Sequence, residues 1–207
     1  MLLNDRQISK LAENDLFMPF VGEKRRTLDN GTKAISYGLS QAGYDLRLSD
    51  EEFLVFDKTA KKRAMASGRT GNIILPVQTE LDPKLADDTI PYDSPLVHKD
   101  GSSFFLLPPF SYGLGRSHEL ISTPLNVIGL CDGKSTYARC GIIINVTPIE
   151  PGWAGHLTIS ISNPTPLPVR IYANEGIVQV MLCPIEEVGQ AYTGLYQNSA
   201  RVQLAAV

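Results

Sequence analysis

Three short stretches hold the residues best suited to chemistry. "DGKSTYARCGI", Asp132 to Ile142, sets two cations, Lys134 and Arg139, around the hydroxyls of Ser135 and Thr136. Cations, hydroxyls and backbone amides in one tight turn are the donors that a phosphate needs. The turn is not a Walker loop, which requires G-x-x-x-x-G-K-[ST]. It reads equally as a strand-to-helix turn with a capping serine. "QAGYDLRL", Gln41 to Leu48, puts Asp45 and Arg47 two residues apart, on one face of a strand. Buried, such a pair is a structural device; exposed, it is a ligand contact. "EPGWAGHLTISISN", Glu150 to Asn163, alternates: Leu157, Ile159 and Ile161 point one way, His156, Thr158, Ser160 and Ser162 the other. That polar face carries hydroxyls and one imidazole but no carboxylate.

The elements that must position these residues read as mostly β. Asn4 or Asp5 can cap a short N-terminal helix, with Ile8, Leu11 and Ala12 at helical spacing. Beyond about Asn14 the chain shows short apolar or alternating runs, among them "SFFLLPP", "NVIGLC", "GIIINVTPI", "LPVRIYA" and "GIVQVMLCP", separated by many of its 17 glycines and 14 prolines. That pattern predicts a sandwich, barrel or jelly roll and argues against a doubly wound α/β sheet. At 207 residues the chain is expected to be a single domain, 1–207. Residues 57–101 form an elaborated insertion with one short strand over Ile73–Val77, and 185–207 an ordered arm or a flexible end.

Net charge is −3, which argues against a nucleic-acid partner held by a basic face. No apolar run approaches the ~18 residues of a membrane span, and the start has no signal-peptide pattern. Cys131, Cys140 and Cys183 make an odd count without C-x-x-C spacing, which fits a reducing, cytoplasmic setting. Neither they nor the separated His98, His118 and His156 have zinc-site spacing, so no zinc is expected.

"AGYDLR", "DGKSTYARCG", "NVTPIEPGWAGH" and "NEG" after "LPVRIY" together resemble the dCTP deaminase family, within the dUTPase-like superfamily. The likeness runs from the N-terminal helix to about Pro184 and weakens across 57–101 and in the tail. It implies a dUTPase-like distorted β-barrel or jelly roll, assembled as a homotrimer with sites between subunits. It also implies a nucleoside triphosphate ligand with Mg²⁺ on its phosphates, and hydrolytic deamination of dCTP to dUTP and ammonia without zinc. Lys134, Ser135 and Arg139 fall on family positions that contact the nucleotide and support the reaction, and Thr136 and Ala138 share their turn. The backbone of Val146, Thr147 and Pro148 falls where the family holds the reacting water. Glu150 falls near the deoxyribose, where dUTPases place the Asp that activates water. Thr158 and Tyr192 complete the expected lining.

One position departs from the pattern. Attack on C4 of cytosine needs a group that takes a proton from water and hands it to the departing ammonia, a task suited to a carboxylate in a dry pocket. The family's acid/base glutamate stands seven residues after the tryptophan of the P-G-W turn; counting from Trp153 gives Ser160. A serine hydroxyl does not ionise near pH 7 and needs a partner base. His156, four strand residues away, is about 13 Å off. In the tail, Leu195 and Ser199 stand where relatives carry a lysine and a glutamine, and Arg201 replaces a glycine. Three readings follow: a deaminase with a relocated carboxylate or low rate, a related enzyme on a different nucleotide (a triphosphate hydrolase using Glu150, or a modified-base enzyme), or a non-catalytic nucleotide-binding trimer.

Overall fold

The computed structural model describes residues 1–56, 83–84 and 91–206. Helix α1, Asp5–Ala12, begins where the sequence places a cap: Gln7 N–H donates to the Asn4 side chain, and the Asn4 amide donates to the Gln7 side chain. This reciprocal box satisfies two otherwise orphaned donors, and α1 buries Ile8 completely.

The remaining described elements are strands, with one further helical turn. In chain order it comprises β1 (Phe17–Met18), β2 (Arg25–Thr27), β3 (Lys33–Ser40), β4 (Gly43–Phe56), β5 (Tyr92–Asp93), β6 (Val97–Lys99), β7 (Ser102–Leu107), β8 (Ser111–Ser122) and β9 (Val127–Gly133). Then come a one-turn helix α2 (Ser135–Ala138) and strands β10 (Ile143–Asn145), β11 (Ala154–Asn163), β12 (Val169–Tyr172) and β13 (Gly176–Pro184). The main sheet runs β10-β11-β8-β4-β13-β9 and curls into a half-barrel; β12-β7-β6 form a smaller sheet. All of these pairings are antiparallel. The expected Ile73–Val77 strand lies outside the described residues. Within 91–101 the chain adds β5 and β6, where only surface loop was expected.

Alternation in β11 is realised residue by residue: Leu157, Ile159 and Ile161 are buried and the intervening polar residues half-buried. One buried cluster joins Ile8, Tyr44, Leu46, Phe53, Phe105, Ile121, Ile159, Val180 and Leu182. Phe53 stacks on Phe105 at 5.0 Å and Phe17 on Tyr44 at 4.3 Å. Burying such side chains contributes about 1.5–3 kcal/mol each. The β4–β8 register breaks between Leu48 and Phe53, and the β8–β11 register between His156 and Thr158, opposite Ser117–Glu119. Such bulges re-aim side chains; here they bring charged residues together.

Candidate functional site

A pocket of about 380 Å³ lies against the start of β11. Of the expected nucleotide-site residues, Thr147, Pro148, Glu150, Thr158 and Tyr192 line it. The loop from β10 reaches it as an extended segment pinned to β9, where Gly129 and Ile149 exchange backbone hydrogen bonds at 3.0 and 2.8 Å. The Pro151-Gly152 turn then reverses the chain, and Thr123 Oγ1 donates to the Glu150 carbonyl at 2.6 Å. This fixes the backbone of Glu150 and leaves its side chain exposed at the pocket wall.

The tail is an ordered arm. It docks on β11 through His156 N–H to Ser199 O (2.7 Å) and Asn198 N–H to Ala154 O (2.8 Å). Trp153 Nε1–H donates to Tyr196 O, and the Gln197 side chain bridges the Ala154 amide and the Gly152 carbonyl, each at 2.9 Å. Further on, Val202 N–H donates to Glu52 Oε2 and Gln203 N–H to Thr158 Oγ1. Tyr196, Ser199, Gln203, Leu204 and Ala205 thereby join Tyr192 in the lining. Sequence reading missed most of these because the arm is held largely by backbone groups, which leave no periodic signal.

His156 also lines this pocket. Its Nδ1–H donates to the Ser117 carbonyl at 2.9 Å, which places the lone pair of the neutral ring on Nε2. Burial lowers its pKa, so the ring is neutral at pH 7. Ser160 sits further along β11, paired with Asn145 on β10 and Leu114 on β8. It is not among the lining residues of this pocket, and neither is Val146.

The Asp132–Ile142 turn lies apart from this lining. It is a strand-to-helix turn, β9 into α2, but its N-cap is Lys134, and no side chain makes the capping bond. Lys134 points inward: its ammonium donates to Asp45 Oδ2 at 2.7 Å and to Ser36 Oγ at 3.0 Å. Lys24 stands 3.7 Å from the same carboxylate. Arg139 is exposed and donates to Ser135 Oγ at 2.9 Å; Thr136 and Ala138 are exposed beside it.

Asp45 and Arg47 do not pair with each other, although they sit two residues apart. Arg47 Nε–H donates to Glu119 Oε1 at 2.7 Å, and its backbone N–H to Glu119 Oε2 at 2.9 Å. Glu119 is wholly buried, and burial raises its pKa against the opposing pull of Arg47. On the same bulged surface Arg116 bonds Glu51.

Comparison with known proteins agrees with this architecture. A family model described as dCTP deaminase-like matches residues 23–185. A dCTP deaminase from Chlamydia pneumoniae is 45% identical over 179 residues, covering 86% of this chain and 82% of that one. One from Alcanivorax borkumensis is 40% identical over 206 residues, covering 97% and 96%. The crystal structure of a 2'-deoxycytidine 5'-triphosphate deaminase from Agrobacterium tumefaciens shares the fold, with a TM-score of 0.53 at 18% identity over 89% of this chain and 47% of that one. The chain thus spans about half the length of that structure. With the family match extending over most of its length and these relatives near 40% identity, the chain belongs to the dCTP deaminase-like family.

Proposed function

We propose that the chain binds a pyrimidine deoxynucleoside triphosphate and that its deamination of dCTP is slow or lost. Ser160 carries this reading: the position that resembles the family's acid/base glutamate holds a hydroxyl in a strand whose polar face has no carboxylate. In the balanced reaction, water adds at C4, a proton moves to the amino group, and ammonia leaves as the C4 carbonyl forms. Ser160 has neither the basicity to take that proton nor the acidity to return it. His156, with its free lone pair, lines the pocket at the other end of the strand.

The nucleotide is proposed to lie between subunits of a homotrimer. None of Ser135, Thr136, Ala138 and Arg139 lines the Thr147–Thr158 pocket within one chain, which fits a neighbouring copy bringing the turn to the pocket. Leu130 and Ile143, 39% and 58% exposed, flank the turn and give such a contact an apolar footing. Ser135, Thr136 and Arg139 would meet the phosphates. Mg²⁺ would ride on the phosphates and neutralise part of their charge. Exposed hydroxyls and a guanidinium fit that arrangement, and among the described residues no three His, Cys, Asp or Glu side chains gather as a cage. The free cysteines suit a cytoplasmic location.

The test is dCTP with Mg²⁺, reading binding by calorimetry and turnover by ammonia release. Binding is expected, with a rate about 10²–10⁴-fold below that of Ser160→Glu. Failure to bind any pyrimidine triphosphate, or wild-type turnover equal to that of Ser160→Glu, would overturn the reading. A second reading rests on Glu150, the one carboxylate among the pocket's lining residues: hydrolysis of a nucleoside triphosphate with Glu150 activating water. Mass spectrometry of a nucleotide panel tests it, and unchanged substrates throughout would end it.

A further inference from the structure

We propose that a second pocket, floored by Glu175, binds a nucleotide through the exocyclic amine of its base. This pocket, about 410 Å³, shares no residue with the first and is lined by Arg26, Lys33, Ser102, Thr136, Tyr172 and Glu175 together with the backbone of β3. Its size lies within the range of small-molecule sites.

Glu175 sits in the turn between β12 and β13 and is 2% exposed. Its Oε2 accepts the Ile35 N–H at 2.7 Å, which fixes the carboxylate against β3. Its Oε1 is buried and has no hydrogen-bond partner. Leaving a buried charged acceptor unpaired is costly, so this oxygen calls for an N–H brought by a ligand. Only one oxygen is free. A guanidinium or a guanine edge, which use both oxygens at once, fit poorly, whereas a single amino group such as cytosine N4 or adenine N6 fits. Uracil presents O4 at the same place, lone pairs against lone pairs.

The remaining lining selects the other end of the ligand. Arg26 and Lys33 bring two cations to a pocket whose floor is an anion, an arrangement that suits a molecule with an amine at one end and a phosphate at the other. Tyr172, half-buried in the wall, offers an aromatic face for a base. The hydroxyls of Ser102 and Thr136 supply adaptable donors and acceptors for base or sugar. Burial raises the Glu175 pKa against the opposing pull of the Ile35 N–H and the Ser102 side chain. This inference rests on the nucleotide reading for its ligand class and shares Thr136 with the phosphate-side turn; its other residues are separate.

An amide-resolved NMR titration of the full chain with dCMP and with dUMP tests it. In the wild type, dCMP is expected to shift the Ile35 and Tyr172 amides and to bind there at least tenfold tighter than dUMP. Glu175→Gln should reverse that order. The Ile35 N–H will hold the amide oxygen, so the new NH₂ faces the base and prefers a carbonyl. Lys33→Ala should weaken dCMP several-fold without changing the base preference. Equal responses to dCMP and dUMP, full reproduction of the shifts by inorganic phosphate, or unchanged affinity in Lys33→Ala would each overturn the proposal. Shifts confined to Thr158 and Gln203, or no shift at either set, would end it, while the first-pocket reading of a triphosphate stands or falls on the dCTP titration.

Discussion

Gly155 decides whether the arm can close the first pocket. Its φ is +147°, a region that side chains rarely adopt, and a Cβ there would stand 2.8 Å from the Ser199 amide nitrogen and 3.1 Å from its carbonyl oxygen. In Gly155→Ala the backbone strain amounts to about 1–3 kcal/mol. The clash is relieved only if the arm moves off β11. That movement breaks the two flanking bonds, His156 N–H to Ser199 O and Asn198 N–H to Ala154 O, at about 0.5–1.5 kcal/mol each. The arm's local stability should therefore fall by about 1–3 kcal/mol, which is roughly 5–150-fold in the opening equilibrium. Hydrogen exchange reads this directly. The His156, Asn198 and Gln203 amides should lose protection by that factor, while Ile159 and Val180, deep in the sheet, should keep theirs if global stability holds. Nucleotide affinity at the first pocket should fall in parallel, because arm residues form part of its lining. Unchanged protection at His156 and Asn198 in Gly155→Ala would refute the reasoning, since the steric conflict would then have been absorbed elsewhere.

Other outcomes follow from the buried charges. Arg47→Met removes the Nε donor from the wholly buried Glu119 and should cost about 3–5 kcal/mol in urea unfolding. The deficit should be larger at pH 8 than at pH 5, because Glu119 can relieve it by taking a proton. Lys134→Met strips the closest cation from Asp45, which is wholly buried, and should cost a similar amount. Arg139→Ala, at an exposed site, should stay within about 0.5 kcal/mol in stability yet weaken triphosphate binding; the reverse pattern would exchange the roles assigned to the two cations. Burial holds the Glu175 carboxyl above its ordinary 4.5. The folded protein therefore keeps a proton that the unfolded chain has released, so this group's contribution is present below about pH 4.5 and is lost as pH rises through the folded value. Urea midpoints of the wild type should decline over that rise more than those of Glu175→Gln; parallel curves would show that Glu175 titrates normally.

The local rules that make an element visible in sequence are the ones that shape this chain's outer strands. The Asn4 cap and the alternation of β11 are satisfied within a few residues, and both are legible. The sheet's centre is not. In β8, Gly113 and Gly115 lie mid-strand because the Phe53 ring packs over them: a Cβ at 113 would be 2.6 Å from Phe53 Cζ, a contact that no local pattern signals. The partners of Asp45 and Arg47 escaped for a different reason. Spacing put both on one strand face, but the atoms that neutralise them come from 89 and 72 residues away. No local pattern carries that information. The first pocket was half legible, since Thr147, Pro148, Glu150 and Thr158 lie on one hairpin, whereas the arm that roofs it bonds mainly through its backbone.

That division bears on what Ser160 means. A strand that had lost its role would be expected to drift in its packing, yet β11 keeps unbroken alternation and buries Leu157, Ile159 and Ile161 at 8%, 0% and 0% exposure. Its loop is still pinned to β9, and the arm still closes on Thr158. The scaffold that presents a pocket is therefore kept in the strand that carries Ser160. Two of the cations in family-like motifs, Lys134 and Arg47, are engaged with Asp45 and Glu119 and hold strands together. They contribute to the fold whether or not a reaction occurs, so their presence is no argument for catalysis. A ligand would instead meet what the fold leaves unpaired or exposed: Arg139 on its turn, Glu150 at the pocket wall, and the Oε1 of Glu175.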